Sequence, residues 1–592
     1  MSVSFGLDVE AMVLLDEGTR WLHLTTPLAV LTAETASDVL ALVREVERST
    51  MARRGHSVGY LTYEAGAAFG LRTKAPRGDL PVACFALYDA AKATVMEPPT
   101  PTSPYHVTPR IPSWDQKAYL AAFERIRRRI ADGDTYQVNC TFALDAGFSG
   151  DVRSFVADLA RTQRGRYAAW LRLGERSVCS ASPELFFARS GRRLVARPMK
   201  GTAARGRTRA EDRAVADGLR ASKKERAENV MVVDMVRNDL GRIARTGTVH
   251  VTRLLAVERY PTVWQMISQV ECESASGLDE IFSALFPSAS ITGAPKVRTM
   301  QIIDELEDRA RGVYTGTIGY VGPNGDAQFN VAIRTAVIDR RAGTLSFGVG
   351  SGVVWDSEGP AEYEECLLKG RVLATPPPPF ELLETLKWSP QGGYVLLKEH
   401  LRRLEDSAGY FDFPCPLDQV RRSLAEAVAG AARDRRVRLL LDEGGAVRTE
   451  SFPLEEAAGP ARVSVADRPI DSTDRFFFHK TTNREAYHSR LCADCDDVLL
   501  RNERDEITES TIANLVVELD GQLVTPPVES GLLAGTLRAQ LIAEGRIAER
   551  VVGRADLGRA TGLWLVNSVR GWREAVLVDH GFVPTSSGSL VR

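Results

Sequence analysis

Apolar residues recur at helical or strand spacing in separate blocks along this chain, and the blocks predict its secondary structure. Residues 116–131 carry apolar side chains every three to four positions and are followed by Gly133, which predicts a helix. The same reasoning predicts helices at 227–236, 281–286 and 362–373 and strands at 165–173, 313–321, 328–338 and 344–354. Because helices and strands come mostly in blocks rather than in strict alternation, we expect an α+β layered architecture rather than a doubly wound sheet.

A run of four prolines at 376–379 interrupts this pattern. Prolines can neither continue a helix nor donate to a sheet, so the run predicts a stiff, extended spacer. The 592 residues also exceed what one ordinary core accommodates. The expected organisation is a first domain 1–374 with an N-terminal lobe 1–110, a linker 375–379 and a second domain 380–592.

Composition and charge narrow the class of protein. The chain is 44% hydrophobic and 26% charged, with a net charge of −2 that is spread over mixed acids and bases. A nucleic-acid surface would need a basic stripe, so we expect no nucleic-acid partner. No apolar run reaches the roughly 18 residues of a membrane span, and the first residues do not have the pattern of a secretory signal. The eight scattered cysteines fit free thiols in the cytoplasm.

Two predicted helices carry carboxylates on one face each. Glu225 and Glu228 are three residues apart, and so are Glu362 and Glu365, with Lys369 one turn further on. Mg²⁺ prefers one or two protein carboxylates, several waters and an anionic substrate. Ordinary surface helices also pair Glu with Lys at such spacings. On the spacing alone, a magnesium site and a solvated helix face both remain open.

Elements that could bind an anion surround these helices. Residues 290–296, Ser-Ile-Thr-Gly-Ala-Pro-Lys, offer backbone N–H groups ahead of a helix, and the glycines of 348–352 could approach a carboxylate closely. Glycines also mark bulges and turns. Arg334 stands in an apolar, strand-like stretch, where an arginine must find an anion or point outward. Lys200 adds an amine, in the sequence Arg-Pro-Met-Lys-Gly-Thr.

Taken together, these motifs resemble the chorismate-utilising enzymes, which include anthranilate, isochorismate, salicylate and aminodeoxychorismate synthases. The resemblance covers about residues 55–373, and its most specific part is the long motif around 225–242. It implies that Glu228 and Glu365 bind Mg²⁺, with Glu225 and Glu362 beside them, and that the ion bridges to a carboxylate of chorismate. The residues that it implies as substrate contacts are Arg334, Tyr314, Lys369, Thr202, Gly293 and Gly350.

The residue at position 200 separates the subfamilies within this resemblance. Anthranilate synthases usually place alanine there, whereas aminodeoxychorismate synthases place lysine. The resemblance implies that Lys200 attacks the ring at C2 while Glu184, in Ser-Pro-Glu, helps the C4 hydroxyl to depart. A nucleophilic amine must be neutral, which burial favours. The chain departs from many members at 264–265, Trp-Gln where they have histidine, and at 288–289, Ser-Ala where they have Gly-Gly.

A second lysine stands in the other half of the chain. Lys480 begins Lys-Thr-Thr-Asn-Arg, and Glu509 follows in Ile-Thr-Glu-Ser-Thr. A lysine amine can hold a carbonyl cofactor as a Schiff base, and a carboxylate can keep a pyridine nitrogen protonated. Thr536 at a helix start, Ser568 and Arg403 could bind a phosphate. Each feature alone is common in proteins and usually structural.

In this order the features resemble the fold-type IV enzymes, which use pyridoxal 5′-phosphate. Branched-chain and D-amino acid aminotransferases and aminodeoxychorismate lyase belong to that family, and the resemblance covers about residues 380–592. It implies that Lys480 binds the cofactor, that Glu509 contacts its ring nitrogen, and that Arg403, Thr536 and Ser568 contact its phosphate. The expected fold is therefore α+β, with a chorismate-binding layered sandwich followed by a fold-type IV domain.

The two resemblances together imply a bifunctional enzyme that makes 4-aminobenzoate for folate biosynthesis. The chain has no Gly-x-Cys-x-Gly nucleophile motif, so a separate glutamine amidotransferase subunit is expected to deliver ammonia. A homodimer through the second domain is a further expectation, because such enzymes often pair there. The alternatives are an anthranilate synthase-like subunit fused to an aminotransferase, an aminotransferase with its own specificity, and a catalytically inactive scaffold.

Overall fold

The structure is a computed structural model, and it describes residues 1–4, 8–15, 20–373, 379–455 and 459–578. The chain folds into two compact units: unit 1 comprises Met1–Arg205 and Ala216–Pro376, and unit 2 comprises Gly206–Val215 and Pro377–Arg592. Most of the predicted linker, 375–378, lies outside the described residues. Among the helices that the structure describes, none is long and apolar enough to cross a membrane.

Unit 1 is built on two antiparallel sheets with helices on their outer faces. Its strands are β1 (Ser2–Ser4), β2 (Val9–Leu15), β3 (Arg20–Leu24), β4 (Ala29–Ala33), β5 (His56–Leu61), β6 (Ala83–Tyr88), β7 (Ala93–Met96), β8 (Tyr105–Val107), β9 (Ile111–Pro112), β10 (Gln137–Gly150), β11 (Tyr167–Leu173), β12 (Arg176–Ser182), β13 (Leu185–Ser190), β14 (Arg193–Arg197), β15 (Met199–Ala204), β16 (His250–Arg259), β17 (Val263–Glu273), β18 (Gly293–Ala294), β19 (Thr317–Val321), β20 (Ala327–Val331), β21 (Thr335–Asp339) and β22 (Thr344–Val353). Its helices are α1 (Val39–Arg53), α2 (Gln116–Ala131), α3 (Val152–Gln163), α4 (Arg209–Ala221, divided between the two units at residue 215), α5 (Lys223–Gly241), α6 (Leu278–Leu285), α7 (Lys296–Leu306) and α8 (Gly359–Lys369).

The first sheet runs in the order β1-β4-β6-β5-β19-β20-β13-β14-β17-β15, with β16 also on β17. The second runs β18-β10-β22-β21-β12-β11-β2-β3-β7, with β8 and β9 on β10. Apolar side chains such as Tyr60 and Leu171 form a core between the sheets. Helices α1, α5 and α6 pack on the outer side of the first sheet, and α2, α3 and α7 on that of the second. The result is a four-layer sandwich.

Two of the connections that carry the chain from one sheet to the other contain predicted site residues, Glu184 and Arg334. Strand β12 belongs to the second sheet and β13 to the first, with Pro183 and Glu184 between them. Strands β20 and β21 are divided in the same way, with 332–334 between them. The prediction of a single strand over 328–338 is therefore wrong, because two strands in different sheets cover this stretch. Arg334 ends this connection with φ +52°, so it lies outside any strand.

Unit 2 contains two further sheets. Its strands are β23 (Leu382–Ser389), β24 (Gly393–Tyr394), β25 (Arg435–Leu441), β26 (Val447–Pro453), β27 (Ala461–Val465), β28 (Asp497–Arg501), β29 (Ile507–Ser510), β30 (Asn514–Leu519), β31 (Gln522–Thr525), β32 (Ala548–Glu549), β33 (Gly562–Asn567) and β34 (Gly571–Leu577). Its helices are α9 (Leu397–Phe411), α10 (Leu417–Ala427), α11 (Glu485–His488), α12 (Thr536–Ala543) and α13 (Arg554–Leu557). Short 3-10 helices in the two units span Ala36–Asp38, Tyr63–Phe69, Ala90–Lys92, Ala289–Ile291, Gly370–Leu373, Arg475–Phe477 and Val528–Ser530.

The smaller sheet has the order β24-β23-β25-β26, and the leucine-rich faces of α9 and α10 cover one side of it. The larger sheet has the order β29-β28-β27-β34-β33-β30-β31-β32. A further pairing between β29 and β30, Glu509 with Asn514, closes part of this sheet on itself around an apolar core. The predicted α+β architecture is confirmed for both halves of the chain, and the helix predicted at 116–131 coincides with α2.

Candidate active sites

Lys200 marks the first site, at a bulge in β15. The pairing of β15 with β17 shifts register between Met199 and Thr202, so Lys200 and Gly201 form the bulge. The Lys200 Nζ lies 3.1 Å from Oε2 of Glu228 on α5, and these side chains are only 17% and 12% exposed. Gly352 on β22 faces the same amine, because a Cβ there would lie 2.5 Å from Nζ. Both sheets and a covering helix therefore meet at this lysine.

Two amides hold the backbone of the bulge. Asn229 Nδ2 donates to the carbonyl of Lys200 at 2.9 Å. Gln265 Nε2 donates to the carbonyl of Gly201 at 2.8 Å, and Gln265 Oε1 accepts from the hydroxyl of Thr202 at 2.8 Å. Gln265 therefore uses both ends of its amide, a group that does not titrate. Gly201 has φ +103°, which favours glycine.

Glu184 lies at the crossing between the sheets and is almost fully buried. Its Oε1 accepts a hydrogen bond of 2.6 Å from the hydroxyl of Ser290. Burial raises the pKa of Glu184 to about 7, against the opposing effect of the Ser290 hydrogen bond. The carboxyl therefore keeps a proton near neutral pH, which suits a group that donates one.

The predicted magnesium carboxylates are divided between two helices of unit 1. On α8, Glu365 Oε1 lies 2.7 Å from Lys369 Nζ, which also donates to the carbonyl of Gly350 at 2.7 Å. Burial would raise the pKa of Glu365, but the charge of Lys369 keeps it below its usual value. On α5, burial and the charge of Glu228 raise the pKa of Glu225.

Glu362, the fourth predicted carboxylate, accepts a 2.7 Å hydrogen bond from Ser357. Among the described residues, no cluster of three or more His, Cys, Asp or Glu side chains is arranged to hold a metal ion. One carboxylate from each helix, Glu228 and Glu365, together with water and an anionic substrate, would still satisfy the donor preference of Mg²⁺. In the structure each of the two carboxylates contacts a lysine side chain, Glu228 that of Lys200 and Glu365 that of Lys369.

The residues predicted to hold substrate carboxylates range from buried to exposed: Gly293 and Gly350 are buried, Arg334, Tyr314 and Lys369 are half-buried, and Thr202 is exposed. Arg334 Nη1 donates to Oε1 of Gln163, and burial lowers the pKa of the guanidinium. The ring of Tyr314 lies flat against Gly348, where a Cβ would come within 2.1 Å of it. Gly293, on β18, has φ +150° and faces the carbonyl of Gln137, which a Cβ would approach to 2.0 Å. At Gly348 and Gly293, neighbouring atoms leave no room for a Cβ, so both positions require glycine.

The second site is a cavity of about 380 Å³ in unit 2, and its lining includes Lys480. Lys480 follows the 3-10 helix Arg475–Phe477, and its carbonyl accepts from the backbone N–H of Leu383 on β23 at 2.9 Å. Burial lowers the pKa of Lys480 to about 8, and the nearby charge of Arg403 acts in the same direction. More of this amine is therefore neutral, and nucleophilic, near neutral pH than for an exposed lysine.

Glu509 on β29 lines the same cavity and has three donors around it. Its Oε1 accepts from the hydroxyl of Tyr487 at 2.9 Å and from the backbone N–H of Leu533 at 3.2 Å. Its Oε2 accepts from Nδ2 of Asn514 at 3.3 Å. Burial raises the pKa of Glu509 to about 7 despite these hydrogen bonds. A cation beside the carboxylate would lower that pKa again, so the site suits a protonated ring nitrogen.

A buried network connects the predicted phosphate contacts. Arg403 on α9 makes two hydrogen bonds with Glu384 on β23, at 2.9 and 2.7 Å. His400 Nδ1 lies 2.6 Å from the same carboxylate, and its Nε2 lies 2.9 Å from the hydroxyl of Ser568 and 3.3 Å from that of Thr536. Burial would raise the pKa of Glu384, but Arg403 and His400 outweigh it and lower the pKa to about 2.

Sequence reasoning missed both Glu384 and His400 as site residues. The available signal was an acidic residue inside the apolar run 382–386, which must find a partner if it is buried. The lining set as a whole, with a buried lysine, a buried carboxylate, a guanidinium, two hydroxyls and the first turn of α12, fits a carbonyl cofactor that bears a phosphate.

Comparison with known proteins agrees with this description. Residues 10–375 match the family of chorismate binding enzymes, and residues 381–578 match the class IV amino-transferases. Aminodeoxychorismate synthase component 1 of Bacillus subtilis (strain 168) is 42% identical over 256 residues, which are 43% of this chain and 54% of that protein. Anthranilate synthase component 1 of Methanothermobacter marburgensis is 32% identical over 355 residues, 56% of this chain and 76% of that protein.

Among solved structures, MenF, the menaquinone-specific isochorismate synthase of Escherichia coli, aligns with 63% of this chain and 89% of its own, with a TM-score of 0.51 and 19% identity. That likeness concerns the fold alone. The match to the Bacillus protein spans about half of its length. The chain belongs to the chorismate binding enzyme family. Its second half is a class IV aminotransferase domain, a class that implies pyridoxal 5′-phosphate.

Proposed function

We propose that the chain makes 4-aminobenzoate from chorismate in two steps, with one step in each unit. The first step aminates chorismate to 4-amino-4-deoxychorismate, and the second eliminates pyruvate from that intermediate. The observation that carries the proposal is that unit 1 contains both a shielded amine, Lys200, and a buried carboxyl, Glu184, that holds a proton near pH 7. The similarity to an aminodeoxychorismate synthase component supports it.

In the first step, Lys200 Nζ forms a bond to C2 of the ring, both ring double bonds shift, and the bond between C4 and the hydroxyl oxygen breaks. Glu184 supplies the proton, so that the hydroxyl leaves as water. Ammonia then adds at C4, both double bonds shift back, and the bond from Lys200 to C2 breaks. Gln265 and Asn229 keep the lysine in position by binding its backbone.

Charged residues of unit 1 would bind the carboxylates of chorismate. Glu228 and Glu365 would hold a Mg²⁺ ion, which supplies positive charge for one carboxylate, with Glu225 and Glu362 in support. The other substrate contacts that we propose come from Arg334, Tyr314, Lys369, Thr202, Gly293 and Gly350. Chains related to this one in the first half include components of synthases. We therefore propose a glutamine amidotransferase subunit as the source of ammonia.

In the second step, pyridoxal 5′-phosphate would supply an electron sink when it is bound. Lys480 would hold the cofactor and then remove the C4 proton, while Glu509 keeps the proton on the ring nitrogen. Arg403, Thr536 and Ser568 would bind the phosphate, with Glu384 and His400 fixing their positions. The bond between C3 and the ether oxygen breaks, the ring becomes aromatic, and the side chain leaves as pyruvate.

A single assay tests the proposal. We expect purified protein, supplied with chorismate, Mg²⁺, ammonium and pyridoxal 5′-phosphate, to form 4-aminobenzoate and pyruvate in equal amounts. The Lys200→Ala variant should form neither. The Lys480→Ala variant should accumulate the aminated intermediate. Lys117→Ala, at an exposed lysine on α2, is the control and should behave like the wild type.

One alternative is an anthranilate synthase-like enzyme fused to an aminotransferase, which the 32% identity to an anthranilate synthase component favours. Formation of anthranilate by the wild-type protein, or undiminished chorismate consumption by Lys200→Ala, would establish it. Wild-type protein that consumes no chorismate would refute both candidates.

A further inference from the structure

Four arginines line the cavity of unit 2 in addition to Arg403, and they come from three parts of the fold. Arg436 and Arg438 are two residues apart on β25, so both side chains point to the same face of the smaller sheet. Arg484 lies directly before α11, and Arg570 lies in the turn between β33 and β34. We call these four residues the arginine rim.

The register of the smaller sheet shows which face the two β25 arginines of the rim occupy. Arg438 is opposite Thr385 of β23, and Leu440 is opposite Leu383. Thr385 and Leu383 line the cavity as well. Alternate residues of two neighbouring strands therefore share the cavity face, and the guanidinium groups of β25 belong to that face.

Most of this positive charge is not balanced within the described residues. Arg403 has its counter-ion in Glu384, and Arg438 lies 3.0 Å from Oε2 of Glu450. In the described parts of the chain, no carboxylate lies within ion-pair distance of Arg436, Arg484 or Arg570.

Arg484 and Arg436 are held by aromatic rings and a carbonyl instead. The guanidinium of Arg484 stacks on the ring of Tyr487 at 4.4 Å and donates to the carbonyl of Thr511. The guanidinium of Arg436 lies 5.1 Å from the ring centre of Phe452. Aromatic support positions a guanidinium without neutralising it, so the charge remains available to an anion.

Glu509 is the single carboxylate in the described lining of the cavity, which also holds Lys480 and five arginines. In the proposed function, Arg403, Thr536 and Ser568 would bind the phosphate of the cofactor, so these residues would not be available to the substrate. A ligand with one carboxylate would leave several cations of the rim unpaired in a partly desolvated cavity, which is costly. A ligand with two carboxylates would pair with more of them.

We propose that the arginine rim selects a substrate with two carboxylates and discriminates against ordinary amino acids, which place a single carboxylate and an apolar side chain there. This inference rests on the second step of the proposed function, whose intermediate carries a ring carboxylate and an enolpyruvyl carboxylate. Paired arginine and carboxylate groups give such recognition both strength and geometry.

The test measures binding rather than turnover. The full chain, loaded with pyridoxal 5′-phosphate, is titrated with chorismate, which has both carboxylates but no C4 amine, and separately with benzoate, which has one carboxylate. Mg²⁺ and ammonium are omitted so that the first step cannot proceed. The absorbance of the bound cofactor reports only on unit 2. We expect chorismate to perturb this absorbance at concentrations at least about tenfold lower than benzoate, the effect of one additional charge-assisted contact.

Substitutions of rim arginines test whether the rim causes the preference for chorismate over benzoate. Arg436→Gln and Arg484→Gln should each weaken chorismate binding about tenfold and change benzoate binding less. Arg421→Gln, on α10 and outside the cavity lining, is the matched control and should change neither. The melting temperature and the cofactor content of each variant show whether it has folded.

Equal binding of the two ligands by the wild type, or an unchanged preference in both folded rim variants, would overturn the inference. A failure of the proposed function gives a different result. If the protein prefers chorismate over benzoate but forms no 4-aminobenzoate, the inference about the arginine rim stands and the two-step reaction is refuted. If the protein forms 4-aminobenzoate but binds both ligands equally, only the inference about the rim is refuted.

Discussion

At the scale of single residues, the environment of Glu184 makes a quantitative prediction. Burial raises its pKa to about 7, so the protonated form dominates below that pH and is lost above it. With free ammonia held constant, loss of the Glu184 proton should therefore lower the rate of chorismate amination about tenfold per pH unit above pH 7, relative to the profile of Glu184→Gln. Glu184→Gln should lower the rate by about 10²-fold to 10⁴-fold and remove this limb. The measurement is a pH–rate profile of chorismate consumption.

Ser290 offers a control for that profile that keeps the carboxyl in place. Its hydrogen bond lowers the pKa of Glu184, in opposition to burial. Ser290→Ala should therefore move the descending limb to higher pH while most of the maximal rate is kept. If the descending limb of the pH–rate profile is unchanged in both Glu184→Gln and Ser290→Ala, another group supplies the proton.

Several individual residues could be predicted from the sequence, but not their partners. The resemblance of their motifs to two enzyme families identified Lys200, Glu184, Lys480 and Glu509 as candidates. The clamp that Gln265 and Asn229 form on the bulge at 200–201 could not be predicted, because it depends on the register of β15 against β17. The spacing of residues along the chain does not indicate this register, because tertiary packing determines how β15 pairs with β17.

At the scale of elements, the network between β23 and α9 predicts a stability effect in unit 2. Glu384 is buried and satisfies both Arg403 and His400. Glu384→Gln removes the charge and leaves a buried guanidinium without its counter-ion, which should cost about 3 kcal/mol. Glu450→Gln, which affects half-exposed ion pairs with Arg438 and Arg448, should cost no more than about 1 kcal/mol. Thermal unfolding of the cofactor-free protein measures both.

The pH dependence of this contribution has a definite sign. The pKa of Glu384 is lowered to about 2 in the folded state, so the folded protein binds the proton less readily than the unfolded chain. The stabilisation should be complete above about pH 4.3, the usual glutamate value, and be lost as the pH falls towards 2. Equal acid unfolding of wild type and Glu384→Gln would contradict it.

Periodicity predicted whole elements well where one face is buried, as for α2 and for the strand at 344–354, and it failed where the chain changes sheets. The stretch 328–338 is mostly apolar and belongs to two mostly buried strands, so its pattern does not mark where the first ends. Its interruption at 332–334 is set by the pairing of β20 with β13 and of β21 with β12. The paired strands are about 150 residues apart in the chain, so the local pattern of apolar and polar residues does not reveal the pairing.

At the scale of the whole molecule, the two candidate sites are built from separate parts of the chain. Every residue described around Lys200 belongs to unit 1, and every residue described around Lys480 belongs to unit 2. Each unit also has apolar cores of its own. A substitution at one lysine should therefore leave the other site intact, so the two proposed steps can be separated by single variants of the full chain.

This independence predicts the outcome of mixing two inactive variants. Lys200→Ala lacks the first step, Lys480→Ala lacks the second, and neither alone should form 4-aminobenzoate. An equal mixture should form it after a lag, because the intermediate made by Lys480→Ala must reach the intact cavity of Lys200→Ala through solution. Excess Lys200→Ala should shorten that lag, whereas added Lys480→Ala/Lys200→Ala double variant should not. If the mixture forms no product while Lys480→Ala still consumes chorismate, the intermediate does not pass between molecules, and the two sites depend on being joined in one chain.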